Sequence, residues 1–172
     1  MAAANFAELK ALIVDDNVHM RTLLRSLLKA LDIRELYEAA DGSEALDELL
    51  ATRPDFVLSD LNMEPLDGVE LTRKIRTAPD SPCPYIPIIM VTGHTERKYI
   101  EAARDAGVTE LLAKPITPRS LYARISEIIE RPRPFVRCES FVGPDRRRRS
   151  NRVYSGPERR AATSSGANVN YL

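Results

Sequence analysis

Five polar residues in this 172-residue chain each follow a short apolar run, and their chemistry suits work on phosphate. Asp15 and Asp16 come after Ala11 to Val14, Asp60 after Phe56 to Ser59, Thr92 after Ile88 to Val91, and Lys114 after Leu111 to Ala113. Short apolar runs bounded by breakers predict buried strands. In open α/β sheets ligands collect at the carboxyl ends of the strands, so these side chains face a crevice. Asp60 taken alone is an ordinary turn or helix-capping aspartate, and the other strand ends change that judgement. Three carboxylates on one rim repel one another unless a cation joins them, and hard oxygen ligands at a few positions suit Mg²⁺. The rim then holds the parts of phosphoryl transfer to a carboxylate: a nucleophile, a metal, and a hydroxyl and an ammonium for the phosphoryl oxygens.

The intervening segments must position those strand ends. Met20, Leu23, Leu24, Leu27, Leu28 and Leu31 recur at helical spacing, as do Ala45, Leu46, Leu49 and Leu50 up to Pro54. Glu35 to Ala40 predicts a weaker strand before the Asp41-Gly42 turn. Val69, Leu71 and Ile75 predict a third helix, Tyr99 to Ala106 a fourth capped by Gly107, and Leu121, Ile125, Ile128 and Ile129 a fifth stopped by Pro132. Pro79, Pro82, Pro84 and Pro87 exclude helix from the stretch between. Strand and helix alternating five times predict an α/β domain, a doubly wound five-stranded parallel sheet of flavodoxin-like form, over residues 1–131.

Composition narrows the class. Cys83 and Cys138 have no metal-ligand spacing and suit a reducing compartment. No secretory signal or membrane span is readable, so a cytoplasmic location is expected. The formal net charge of zero conceals an asymmetry. Residues 1–131 carry 16 Lys and Arg against 22 Asp and Glu, a net of −6; residues 132–172 carry 9 arginines against 3 acids, a net of +6. Such a tail points to an anionic partner.

The four motifs, in this order, resemble the CheY-like receiver domains of two-component response regulators, over about residues 9–131. The resemblance implies that Asp60 accepts phosphate. It implies that Asp16, Asp60 and the Asn62 carbonyl bind Mg²⁺, with Asp15 acting through water, and that Thr92 and Lys114 contact the phosphoryl group ahead of a cis bond at Pro115. It also implies a sensor kinase or phosphotransfer protein as partner. Two positions depart from the family pattern: Glu64 stands where proline is usual, with Pro65 one later, and Leu111 replaces the switch aromatic.

Residues 132–172 form an arginine-rich tail that opens with an extended linker, Arg131 to Phe135, and then repeats itself. Phe141-Val142-Gly143-Pro144-Asp145-Arg146-Arg147 matches Tyr154-Ser155-Gly156-Pro157-Glu158-Arg159-Arg160. By composition the tail is a solvated or nonspecific nucleic-acid-binding segment, predicted to be mostly disordered. A general polyanion binder gains nothing from Asp145 and Glu158, whereas guanine does use them. Its O6 and N7 accept the Arg fork, its N1 and N2 hydrogens donate to a carboxylate, and its face stacks on Phe141, Tyr154 or a guanidinium. Gly-Pro would hold each acid and arginine pair in a turn. Arg148, Arg149 and Arg152 remain for phosphates.

Two guanines and two phosphates describe cyclic di-GMP. A receiver with such a tail resembles the CheY-like cyclic di-GMP effectors, the Cle proteins. That resemblance implies a tail that orders around the dinucleotide and a body that docks on the flagellar motor switch, with the flagellar pole as its place, to control motility and attachment. The expected function is a signalling adaptor, not an enzyme on an external substrate. The alternative is a single-domain phosphoryl-accepting regulator in a phosphorelay with a nonspecific basic tail. A transcriptional regulator is disfavoured, because no helix-turn-helix pattern follows Pro132.

Overall fold

The computed structural model describes residues 6–94, 96–138 and 140–146, together with the backbone of 170 and 171. Five strands, β1 (Lys10–Val14), β2 (Glu35–Ala39), β3 (Phe56–Asp60), β4 (Ile88–Thr92) and β5 (Glu110–Ala113), pair in parallel in the order β2-β1-β3-β4-β5. The strands alternate with α1 (Val18–Ala30), α2 (Gly42–Thr52), α3 (Gly68–Thr77), α4 (Arg97–Ala106) and α5 (Pro118–Glu130). This is the doubly wound parallel sheet that the alternation predicts.

Side chains alternate across a strand, so each central strand feeds two cores. Ile13, Phe56, Leu58, Ile89 and Val91 face Leu24, Leu28, Leu121 and Ile125 of α1 and α5. Leu12, Val14, Val57 and Ile88 point the other way, onto Ala45, Leu49, Leu71 and Ile75 of α2 and α3. Met90 meets Ala103 and Ala106 of α4. Helical spacing overstated two faces: Leu23 and Leu50 are exposed, because each lies beside the stripe that its helix buries.

Local chemistry sets the helix starts next to the rim. The Asn17 side chain accepts from the backbone N–H groups of His19 and Met20, opening α1 directly after Asp15 and Asp16. Asp67 and Glu70 form a capping box at α3, just beyond Asp60, and Thr117 pairs with Ser120 at α5, just beyond Lys114. Gly107 ends α4 in the left-handed region at φ 96°, as its position predicted.

The beginning of the tail is folded onto the body. β6 (Phe135–Cys138) and β7 (Phe141–Pro144) form an antiparallel hairpin, and the backbone of β8 (Asn170–Tyr171) pairs with β6 on its other side. The linker reading therefore holds only up to Pro134. Gly143-Pro144, expected as a turn, lies in β7, with Gly143 opposite Val136 and Pro144 opposite Phe135. Of the first repeat, Phe141 to Pro144 form β7 and Asp145 and Arg146 follow it.

Four contacts hold this stretch. The Phe135 ring stands edge-on to Tyr85 at 5.5 Å and lies 5.0 Å from the Arg76 guanidinium. Asp145 N–H donates to Pro134 O at 2.8 Å. Gly143 and Gly107 approach so closely that a Cβ on Gly143 would lie 2.8 Å from Gly107 Cα.

Arg76, which the sequence analysis passed over, joins α3 to this corner. Its guanidinium donates to Gly107 O at 3.1 Å and to Pro84 O at 2.8 Å. Burial pushes it down to about 9.

Candidate functional site

The rim at the carboxyl ends of β1, β3, β4 and β5 gathers the predicted side chains. Asp60 ends β3, buried at 7% exposure. Its Oδ1 accepts from Lys114 Nζ at 2.7 Å, and its Oδ2 accepts from the Asn62 backbone N–H at 3.0 Å. Lys114 reaches it because the Lys114 N–H donates to Thr92 O at 2.8 Å, extending the β4–β5 ladder to the rim, and the following Lys114–Pro115 bond is cis, as the family resemblance implied. Thr92 is buried; its hydroxyl accepts from His94 N–H at 2.9 Å and donates to His94 O at 3.3 Å.

Asp15 is the most enclosed of the acids, at 2% exposure, while Asp16 beside it is exposed. Asp15 Oδ1 accepts from Asn17 N–H at 2.8 Å; Oδ2 is buried with no hydrogen-bond partner among the described residues. Burial pushes the Asp15 carboxyl above the usual aspartate range, opposed by the Asn17 N–H, and the neighbouring Asp60 charge adds to the rise. Arg21 fixes this corner by donating to Asp15 O at 2.7 Å and to Glu38 at 3.2 Å.

An orphaned carboxylate oxygen beside a second carboxylate is the donor set of a hard cation. Among the described residues no three His, Cys, Asp or Glu side chains converge as a ready cage. Mg²⁺ does not need one, since it binds through one or two carboxylates and keeps several waters. The residues present therefore fit that ion.

Two neighbours were missed or undervalued in the sequence. His94 places its ring Nε2 2.9 Å from the Asn62 side-chain amide and its ring centroid 4.5 Å from that of Tyr99. The pair bridges the loops after β3 and β4 across the mouth of the site. Gly68 starts α3 against the rim: a Cβ there would lie 2.2 Å from Asp60 O. The Asp67-Gly68 doublet was the available signal, but the close approach that requires glycine is a tertiary fact.

Leu111, at the switch position, is half-buried and packs with Tyr99 against the cluster around Met90. Of the tail residues proposed to hold a ligand, Phe141, Asp145 and Arg146 are described. The Arg146 guanidinium lies 4.1 Å over the Phe141 ring and 3.1 Å from Asp105. The aromatic face predicted to stack on guanine is thus already covered by a cation. Arg147, Arg148, Arg149, Arg152, Tyr154, Glu158, Arg159 and Arg160 lie outside the described residues.

Fold and rim together define a flavodoxin-like α/β domain with a carboxylate-centred polar pocket at its strand ends. The chain belongs to the response regulator receiver domain family, whose model matches residues 11–126. It is a CheY-like receiver of two-component signalling. It is 37% identical over 123 residues to the chemotaxis protein CheY of Pseudomonas aeruginosa, covering 72% of this chain and 98% of that protein. Chemotaxis protein CheY-3 of Vibrio cholerae is likewise 37% identical over 123 residues, covering 72% of this chain and 93% of that protein. Among solved structures, Vibrio cholerae CheY4 superimposes with a TM-score of 0.65 at 30% identity, covering 70% of this chain and 98% of that one. The receiver domain of a Pseudomonas aeruginosa sensor histidine kinase, with a magnesium ion coordinated in its active-site cleft, superimposes with a TM-score of 0.61 at 31% identity over 69% of this chain and 94% of that one.

Proposed function

We propose that this chain is a signalling adaptor in which a phosphate-accepting receiver and a cyclic di-GMP-binding tail act on one protein target, the flagellar motor switch. The observation that carries the receiver half is the clamp on Asp60: Lys114 on one carboxylate oxygen, the Asn62 N–H on the other, and the buried, unpartnered Asp15 Oδ2 nearby.

An Asp60 oxygen forms a bond to phosphorus as the bond from phosphorus to the donor's leaving atom breaks. The donor is a phosphohistidine on a kinase or phosphotransfer protein, whose ring leaves as neutral imidazole, taking the N–P electron pair and keeping the proton already on its other nitrogen. Asp16, Asp60 and the Asn62 carbonyl, with Asp15 acting through water, would hold Mg²⁺, which would supply neutralisation of charge on the phosphoryl oxygens. Lys114 moves its ammonium from Asp60 onto a phosphoryl oxygen, and Thr92 gives up its internal bond to His94 to donate to another. The receiver turns over no external substrate.

The tail half rests on the duplicated Gly-Pro-acid-Arg-Arg stretch and on the contrast between a +6 tail and a −6 body. Capture of a dianion reduces the tail's attraction for the acidic body and frees both for the target. Residues 1–131 are the receiver unit in this scheme and 132–172 the sensing segment. The chain works in the cytoplasm, close to the flagellar pole.

The test is calorimetric titration of cyclic di-GMP into the full chain, into Arg147→Ala and into Arg160→Ala, with GMP and a generic oligonucleotide as controls. Micromolar binding of the dinucleotide that either substitution weakens supports the proposal. Equal heats from any polyanion return the tail to a basic appendage. The covering of Phe141 by Arg146 favours a second reading, a phosphorelay receiver whose tail is structural. In that case Asp60→Asn abolishes function, and the tail substitutions leave it intact.

A further inference from the structure

On an acidic body, one concavity is lined by arginines. It is a cavity of about 310 Å³ between α4, β5, α5 and β7, and Arg104, Arg124, Arg133 and Arg146 contribute to its wall. Arg146 comes from the first tail repeat; the other three come from α4, α5 and the segment leading into β6. The hairpin therefore does more than cover the body: it completes a cleft whose cations come from four separate segments.

Two acids hold these arginines in place without cancelling them. Glu110, almost fully buried, pairs with Arg124 at 3.1 Å and with Arg133 at 2.8 Å, and Arg133 also donates to Thr109 O. Asp105 pairs with Arg146 at 3.1 Å and lies 3.8 Å from Arg104. Within these ion pairs of the described residues, four guanidiniums are set against two carboxylates. A guanidinium has five N–H donors, and these ion pairs occupy only part of each fork. A concave wall of one sign focuses its field on an anion. Arginine forks are suited to phosphate in particular, through paired N–H donors.

The remaining wall is apolar, formed by Val108, Leu111 and Pro144. Inorganic phosphate would leave that surface wet, whereas a planar base would cover it. The volume lies within the range of small-molecule sites, about 300–1,000 Å³. We propose that this cleft is a nucleotide site, in which Arg104, Arg124, Arg133 and Arg146 take two phosphate charges while Val108, Leu111 and Pro144 face a base. The assignment rests on the tail reading above and deepens it: the ligand is shared between the first repeat and receiver residues that the sequence never pointed to. It also gives Leu111 a role. The ring that the family carries at that position would project where this chain keeps a smaller side chain beside the cleft.

The experiment is a ¹⁵N-amide titration of the full chain with cyclic di-GMP, GDP and pyrophosphate, alongside calorimetry on wild type, Arg104→Ala and Arg124→Gln. The glutamine keeps an amide donor for Glu110. Cyclic di-GMP should move the amides of Val108 to Leu111 and of Arg124, and each substitution should weaken binding about tenfold, the loss of one charge-assisted phosphate contact. If cyclic di-GMP binds the full chain but leaves those amides and both variants' affinities unchanged, the cleft assignment falls and the tail reading stands. If GDP alone binds in the cleft and the variants weaken it, the cleft stands and the cyclic dinucleotide reading falls. Pyrophosphate matching the nucleotides, or no response to any of the three, overturns the nucleotide site.

Discussion

Lys114 Nζ lies 2.7 Å from Asp60 Oδ1, across the gap between two strands that are not neighbours, since β4 separates β3 from β5. The ammonium thus spans the strand that carries Thr92 and sits against the Asp60 carboxylate. Lys114→Met should leave the fold intact and lower the rate of Asp60 phosphorylation by about 10²-fold, the usual cost of one transition-state donor. Lys114→Arg should restore little, because a planar fork does not replace a point charge in this gap. Phosphoprotein formation from a small phosphodonor, followed by intact-protein mass, reads both.

Asp15 Oδ2 is buried without a hydrogen-bond partner among the described residues, a cost that a metal site would accept for function. Asp15→Asn should raise the melting temperature of the metal-free protein, because it removes a buried charge beside Asp60. The same change should weaken Mg²⁺ binding about tenfold or more, and a chelator should stop phosphorylation of the wild type altogether. Thermal melts with and without Mg²⁺ separate the two effects.

Gly68→Ala would set a Cβ 2.2 Å from Asp60 O, a backbone atom that cannot rotate away. A destabilisation of about 2 kcal/mol is expected, as for overpacking, together with a displaced Asp60 and slower phosphorylation. Denaturant unfolding and a phosphorylation time course would show both; an unchanged rate would mean that the β3 end tolerates the shift.

Gly143→Val would drive a side chain to within 2.8 Å of Gly107 Cα and 2.6 Å of the Phe141 ring. The hairpin should detach while the parallel sheet persists. Hydrogen exchange should then show faster amides at Val136 and Val142, and unchanged protection at Leu12, Leu58 and Ile89. If the hairpin amides keep their protection, the two glycines do not set its docking.

Apolar runs and helical spacing were enough to determine the doubly wound sheet, because a parallel strand buried on both faces needs an unbroken apolar run and its helices need a periodic stripe. Asp15, Asp16, Asp60, Thr92 and Lys114 were legible for the same reason: each stands at the end of such a run, and parallel pairing carries those ends to one rim. What only the tertiary structure decided depends on contacts between segments far apart in sequence. The His94 ring meets the Asn62 amide across two loops, Gly68 must be glycine because the Asp60 carbonyl passes beside it, and Arg76 reaches Gly107 and Pro84 from α3. The start of the tail shows the limit most clearly. Phe135 to Arg146 opens a tail of nine arginines, and the composition of that whole tail suggested a solvated segment. Its order comes from surfaces that the body supplies: the Tyr85 ring, the Arg76 guanidinium, the bare backbone of Gly107 and the carboxylate of Asp105.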